Sequence, residues 1–260
     1  QAIYDQYRPA GAKDALPRGA VGQMTALADR LDTLAGFFGL GLIPTGSKDP
    51  FGLRRAALGV VRIALEGEVE VNLEAALGVA FGLLHEKLPV KGVVEGEAAV
   101  PSPNVPPAQA KAFGQLVEFL RDRLTHVLGE RGFAYDEVAA AMGADSDSPL
   151  AFRAIAARTA ALRGARQEPD FAVVAQAAKR IANITKGSEA FTFTEVLCTL
   201  EAERALRQAA VTLHDEILAA RASLDFAAGL HSVRKLASPL EVFFKDVMVM
   251  DPDPRLKQNR

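Results

Sequence analysis

Apolar residues in this chain recur at helical spacing and almost never in strict alternation, and that property decides what the chain can fold into. Alternating Val, Ile, Thr and Tyr runs, which would mark half-buried strands, are nearly absent, while alanine and leucine dominate. After a turn-rich start (Pro9, Gly11, Pro17, Gly19), the pattern predicts a helix from about Val21 to Phe38. Its apolar stripe is Met24, Leu27, Leu31, Leu34 and Phe38. The glycines and Pro44 between Gly39 and Lys48 end it. Asp49-Pro50 reads as an N-cap followed by the first helical residue, because proline loses no needed N–H there. A second helix is expected through Glu66, and a third from a cap at Asn72 to near His85.

Residues 87–107 change character. Pro89, Pro101, Pro103, Pro106 and Pro107, with glycines between, cannot continue a helix, so this is a Pro/Gly-rich connector and the expected domain boundary. Beyond it, helices are expected at roughly 108–130, 135–142, 149–163, 170–186, 193–221, 223–236 and 239–249. Ser148-Pro149 and Ser238-Pro239 serve as cap-plus-proline starts. The longest carries a packing seam of Leu206, Ala210, Leu213, Ile217 and Ala220. The fold class is all-α: a smaller helical segment followed by a helical bundle.

Bulk properties narrow the function. Apolar residues make up 49% and charged residues 24%, the balance of a folded chain. A net charge of −2 means that any nucleic-acid surface must come from local segregation of charge. The single cysteine, Cys198, excludes an intramolecular disulfide and a cysteine-cluster metal site, which fits the cytoplasm. No apolar run approaches the roughly 18 residues of a membrane span. The start, Gln1-Ala2-Ile3-Tyr4, has neither an initiator Met nor a signal-peptide pattern, so the chain is expected to begin inside a longer protein.

Catalytic signatures are missing from the sequence. His85, His126, His214 and His231 are scattered without ligand spacing, and Cys198 reads as core rather than nucleophile. No P-loop, dinucleotide fingerprint or nucleophile elbow occurs. Asp29 and Asp32 adjoin on one helix face, but the His and His-Asp pair of a metal-dependent phosphohydrolase do not precede them. The one literal pair, His214-Asp215, lies far downstream. No catalytic residue and no metal site is expected.

The basic residues are more informative. Arg55 and Arg62 flank Gly59 in a narrow stripe on a helix whose other faces are apolar. They serve either as internal salt bridges to Asp29, Asp32 or Glu66, or as a phosphate clamp. Between 151 and 186, Arg153, Arg158, Arg163, Arg166, Lys179, Arg180 and Lys186 face only Glu168 and Asp170, a local excess of five positive charges. On the helix from Asp170, Phe171, Val174, Ala178 and Ile181 form the apolar side, with Gln176, Lys179, Asn183 and Lys186 opposite. Cations that hold phosphates, beside amides that read a base edge, suit unstacked RNA. A solvated face with no ligand would look similar.

Three stretches go beyond generic helix. One is Leu27-Ala28-Asp29-Arg30-Leu31-Asp32-Thr33-Leu34-Ala35-Gly36 with Lys48-Asp49-Pro50-Phe51-Gly52-Leu53-Arg54-Arg55-Ala56-Ala57-Leu58-Gly59. Another is Phe119-Leu120-Arg121-Asp122-Arg123-Leu124, closed by Gly132-Phe133-Ala134-Tyr135-Asp136, and the last is Phe243-Phe244-Lys245-Asp246-Val247-Met248-Val249-Met250. In this order they resemble the β-subunit of bacterial glycyl-tRNA synthetase, with a weaker echo at Lys179-Arg180-Ile181-Ala182-Asn183-Ile184.

The resemblance implies that residues 1–86 are the C-terminal part of an HD-like helical domain and residues 108–260 a helical anticodon-binding domain. It implies an aminoacyl-tRNA synthetase, a ligase whose α-subunit activates glycine with ATP and Mg2+, while this part holds glycine tRNA and binds no cofactor itself. Arg55, Arg62, Arg121, Arg123, Arg153, Arg158, Lys179, Arg180, Asn183 and Lys186 are the candidate tRNA contacts. No membrane or DNA partner is expected. The rival readings are a fragment of a metal-dependent HD phosphohydrolase, a helical scaffold without selective RNA binding, and the anticodon domain of another synthetase.

Overall fold

A computed structural model describes residues 2–11, 13–45, 49–85, 105–143, 148–186 and 193–260. Among them every regular element is helical, as the periodicity predicts. The chain forms two compact units, Gln1–Ala156 and Ala157–Arg260.

In the first unit a short helix α1 (Ala2–Asp5) precedes α2 (Gly19–Gly39), α3 (Leu53–Glu66), α4 (Leu73–His85), α5 (Ala110–Glu130) and α6 (Tyr135–Met142). A single 3-10 turn at Pro107–Gln109 leads into α5. Helix α2 is the hub, packing against α1, α3, α4 and α5. Its stripe Leu27, Leu31, Leu34 and Phe38 is buried as expected, whereas Met24 at the N-terminal end is 48% exposed. Leu53, Ala57, Val60 and Val61 of α3, Leu77 and Phe81 of α4, and Phe113, Leu116, Leu120 and Leu124 of α5 complete the core. Aromatic pairs, Phe38 with Phe119 tilted at 5.2 Å and Phe81 with Phe113 edge-on at 5.8 Å, tie the helices together.

Asn72 caps α4 as expected, its Oδ1 accepting from the Ala75 N–H at 3.0 Å. Asp49 caps α3 but from outside it. A turn closed by Gly52 N–H on the Asp49 carbonyl, with Gly52 at φ +68°, brings the Asp49 carboxylate onto the Leu53 and Arg54 amides at 2.8 and 2.9 Å. Pro50 therefore sits in the turn rather than at the first helical position. Ser148-Pro149 likewise precedes its helix, α7 (Phe152–Ala165), by a turn.

The expected connector falls almost wholly on residues outside those described. The compact units themselves divide between Ala156 and Ala157, because α5 packs on α2, α3 and α4 and so joins the N-terminal core. Helix α7 straddles that division.

The second unit contains the end of α7, then α8 (Phe171–Thr185), α9 (Glu201–Ala222), α10 (Phe226–Arg234), α11 (Ala237–Asp246) and α12 (Pro254–Asn259). The long helix expected from 193 begins at Glu201; a 3-10 turn at Glu195–Leu197 precedes it. Helix α9 is the spine, contacted by α10 and α11, and α8 packs on α10 and α11. Of the predicted seam, Leu213 and Ala220 are buried, Leu206 and Ile217 half-buried, and Ala210 exposed. Ala202, Phe243 and Val247 form a compact cluster with Leu206, Phe244 and Val249 around them. Ser238 and Pro239 lie inside the first turn of α11, which starts at Ala237.

Candidate nucleic-acid interface

Helix α8 has no fully buried residue, so packing leaves most of its surface open. Its inward side is Phe171, Val174, Ala177 and Ile184, all half-buried; Ala178 and Ile181, placed there by the sequence reading, are exposed. The N-terminal end is anchored from α10. Arg234 reaches Asp170 at 2.7 Å and Glu168 at 3.5 Å, and these carboxylates raise the Arg234 pKa, Asp170 foremost, against the opposing effect of burial. Asp170 is thus an ion-pair partner; its side chain does not cap α8.

Gln176, Lys179, Arg180 and Asn183 share one face of α8 through their spacing of three, four and seven. With Ile184 they form one wall of a groove of about 740 Å³, and Val247, Met248, Val249 and Met250 form the other. That second wall exists because α11 ends at Asp246 and the backbone becomes extended at Val247 (φ −112°, ψ 122°). Val247 is then buried in the cluster with Ala202 and Phe243, while Met248 and Met250 stay 65% and 61% exposed. Arg180 rests on Phe244, its guanidinium carbon 3.9 Å from the ring centroid. Among the described residues no carboxylate pairs with Lys179, Arg180 or Lys186. One wall therefore offers cations and amides, the other thioethers and branched aliphatics. Such a groove can grip a flat, hydrogen-bonding, anionic ligand.

The other expected contacts are placed differently. Lys186 is exposed at the C-terminal end of α8, outside the groove. Arg158 stacks on Phe226 at 5.4 Å. Arg62 donates to the carbonyls of Gly11 and Asp14 and pairs with Glu66 at 3.0 Å, so the internal salt bridge of the two earlier readings is present. Arg121 donates to the carbonyls of Pro149 and Met142. Arg153 donates to the carbonyls of Ala64, Gly67 and Val69 and pairs with Glu70. Arg123 lies over Phe119 at 5.9 Å, and Arg55 is exposed with its guanidinium against Gly52. Gly59 admits close approach, as expected, but what approaches is Arg30.

Metal-ligating side chains do not gather in threes among the described residues. Asp29, Asp32, His214 and Asp215 are exposed, and His126 lies 3.6 Å from Glu130; the side chain of His85 is outside the described residues. Cys198 is half-buried. Burial first, and then the nearby Glu203 carboxylate, push its thiol pKa up against a hydrogen bond from Asn259, which does not suit a nucleophile at neutral pH. No helix among the described residues is long and apolar enough to cross a membrane.

The expected face of Gln176, Lys179 and Asn183 lines the groove, but Arg180 stands there in place of Lys186, and the facing wall has no signal in the helix spacing. Phe243–Met250 stood out as a motif, yet nothing in its spacing says that it meets α8.

Known proteins resemble the chain throughout. A glycine–tRNA ligase beta subunit of Leptothrix cholodnii is 37% identical over 270 residues, covering 100% of this chain and 33% of that protein. Those of Dechloromonas aromatica and Pseudomonas aeruginosa are 38% and 35% identical over 262 residues, covering all of this chain and 34% and 35% of theirs. The chain thus spans about a third of the length of the curated relatives it matches. The family described as glycyl-tRNA synthetase beta subunit matches residues 1–143, more than half of the chain. By that match the chain belongs to the glycyl-tRNA synthetase β-subunit family.

Proposed function

We propose that this chain is a tRNA-binding part of a glycine–tRNA ligase β-subunit, and that it holds glycine tRNA by its anticodon arm. The observation that carries this reading is the groove of α8, where Gln176, Lys179, Arg180 and Asn183 face Val247–Met250 in a member of the synthetase family. Lys179, with Lys186 at the helix end, serves the phosphates; the amides and the apolar wall serve bases turned out of the stack.

The role is positional. Binding energy from a remote part of the substrate fixes the acceptor end at a distant active site, so no residue of this chain forms or breaks a covalent bond. ATP, Mg2+ and glycine would be handled with the α-subunit, in the cytoplasm. Residues 1–86 would be the end of the HD-like domain and residues 108–260 the anticodon-binding domain, whose first helices, α5 and α6, belong to the N-terminal compact unit. A phosphohydrolase reading has no gathered metal ligands to rest on among the described residues.

The test is the affinity of the full-length protein for glycine tRNA at one stated salt concentration, beside the same tRNA with altered anticodon bases. A clear preference for the native anticodon is expected, and Lys179→Glu with Arg180→Glu should abolish it. Equal affinity for both tRNAs overturns the anticodon reading; unchanged affinity in the double variant removes the groove from it.

A further inference from the structure

The position of Arg180 separates it from the other cations of α8. A free arginine side chain samples many rotamers and meets phosphate as readily as a base. Here the guanidinium is seated on the Phe244 ring, 3.9 Å from its centroid, and lines the groove beside Asn183 and Gln176. A guanidinium stacked by one face keeps its in-plane N–H edges available, and the stacking removes part of the entropy lost on binding. Phe244 is in turn fixed by an edge-on contact with the buried Phe243 at 5.5 Å. The result is a guanidinium held by an aromatic ring in a groove whose opposite wall is apolar.

A planar fork of donors matches two adjacent acceptors. Phosphate offers such a pair, but so do two of the four bases: cytosine through O2 and N3, and guanine through O6 and N7. Adenine and uracil carry no two acceptors side by side. The apolar wall of Val247, Met248, Val249 and Met250 favours the base over the phosphate, since a ring face gains contact there and sulfur packs well on aromatic rings. A phosphate would lose hydration and gain nothing from that wall.

Resting on the RNA-binding reading above, we infer that Arg180, seated on Phe244, sets base selectivity in this groove by accepting an unstacked cytosine or guanine and rejecting adenine and uracil. Lys179 supplies the attraction to phosphate that all sequences share. Arg180 is a specificity-determining residue, and Phe244 is the residue that positions it.

The experiment uses the full-length protein and hairpin RNAs with one common stem, whose uridine loops carry paired cytidines, guanosines or adenosines, or none. The wild-type protein should prefer the cytidine or guanosine loops by about tenfold or more, the discrimination of a good bidentate contact. Arg180→Lys keeps the charge but not the fork. It should bring that preference below about threefold while leaving the salt dependence in place. Phe244→Leu should act in the same direction, and Lys179→Ala should weaken every loop alike. Hairpin binding without a loop preference, or a preference that survives in Arg180→Lys, overturns this inference and leaves the RNA-binding reading standing. Failure to bind any hairpin or glycine tRNA overturns both.

Discussion

Arg30 lies across Gly59. A methyl group on Gly59 would stand 2.3 Å from Arg30 Nε and 2.9 Å from its Cδ, closer than atoms approach without displacement. The arginine has nowhere easy to go. It is only 7% exposed, and its guanidinium donates to the carbonyls of Gln6, Ala26 and Pro9 at 2.7, 3.0 and 3.3 Å. Burial pulls its pKa down, with Asp29 opposing. Arg30 thus fastens the N-terminal segment to α2 by way of a gap that only glycine leaves in α3.

Gly59→Ala should therefore destabilise the first unit although alanine favours helix. The propensity gain is about 1 kcal/mol. Overpacking costs about 1–3 kcal/mol, and each charged hydrogen bond displaced from Arg30 adds about 1.5–3 kcal/mol. A net loss of about 2 kcal/mol is expected as a lower urea midpoint. In the background of Arg30→Ala the same substitution should become neutral or stabilising; an additive double variant would mean that the two residues do not couple.

Asp5 gives the first unit an acid-sensitive joint. Its carboxylate is fully buried and accepts from Arg18 at 2.9 and 3.1 Å, and this hydrogen bonding, ahead of the opposing effect of burial, holds its pKa below the ordinary value. A carboxyl depressed in the folded state stabilises fully above its unfolded pKa of about 4, and that contribution vanishes as the pH falls through the folded pKa. Asp5→Asn should thus lower Tm relative to wild type at pH 6, with the gap closing as the pH is taken below 4. A constant gap across this range would remove Asp5 as the titrating group.

Arg153 and Lys179 should separate stability from RNA affinity. Arg153 satisfies three carbonyls, one in the last turn of α3 at Ala64 and two just after it at Gly67 and Val69. Arg153→Ala should cost about 2 kcal/mol in the unfolding midpoint, because those carbonyls lose a charged donor. Lys179 is exposed, so Lys179→Ala should move stability by no more than about 0.5 kcal/mol. On glycine tRNA the order reverses. Lys179→Ala should lower the affinity and reduce the salt slope by about 1, and Arg153→Ala, measured where it is fully folded, should leave both unchanged.

How far sequence could reach is clear from these same residues. The α2 stripe and the caps at Asp49 and Asn72 were legible because they depend on neighbours within a few positions. Gln176, Lys179 and Asn183 on one face of α8 were legible for the same reason, whereas Arg180, and not the expected Lys186, completes that face in the groove. Arg62 and Arg153 look alike in a sequence, as cations on helices, and their carbonyl partners at Asp14 and Gly67 lie 48 and 86 residues away. The second wall of the groove was hidden similarly, because only tertiary packing brings Met248 to Asn183. Cap-plus-proline starts erred by a turn at Asp49 and Ser148, where the chain uses a complete turn before the first helical amide.

The second unit closes on a buried charge cluster that should dominate its stability. Arg260 pairs with Glu203 and, at 2.7 Å, with Asp251, and the side chains of Arg260 and Glu203 are only 6% and 3% exposed. Glu203 also accepts from the Leu200 N–H at 2.8 Å, so one carboxylate both starts α9 and fixes the chain after α12. Glu203→Gln preserves shape and the N-terminal hydrogen bond but leaves Arg260 with Asp251 alone. Breaking a buried pair costs about 3–5 kcal/mol; with Asp251 retained, a loss of about 2–3 kcal/mol is expected. Glu203→Ala should lose about 1 kcal/mol more, the worth of the cap. Since buried pairs are little screened, the Glu203→Gln deficit should be the same in 0.05 and 0.5 M NaCl. A deficit that disappears in high salt would show that the pair is solvated and does not hold the last helix to α9.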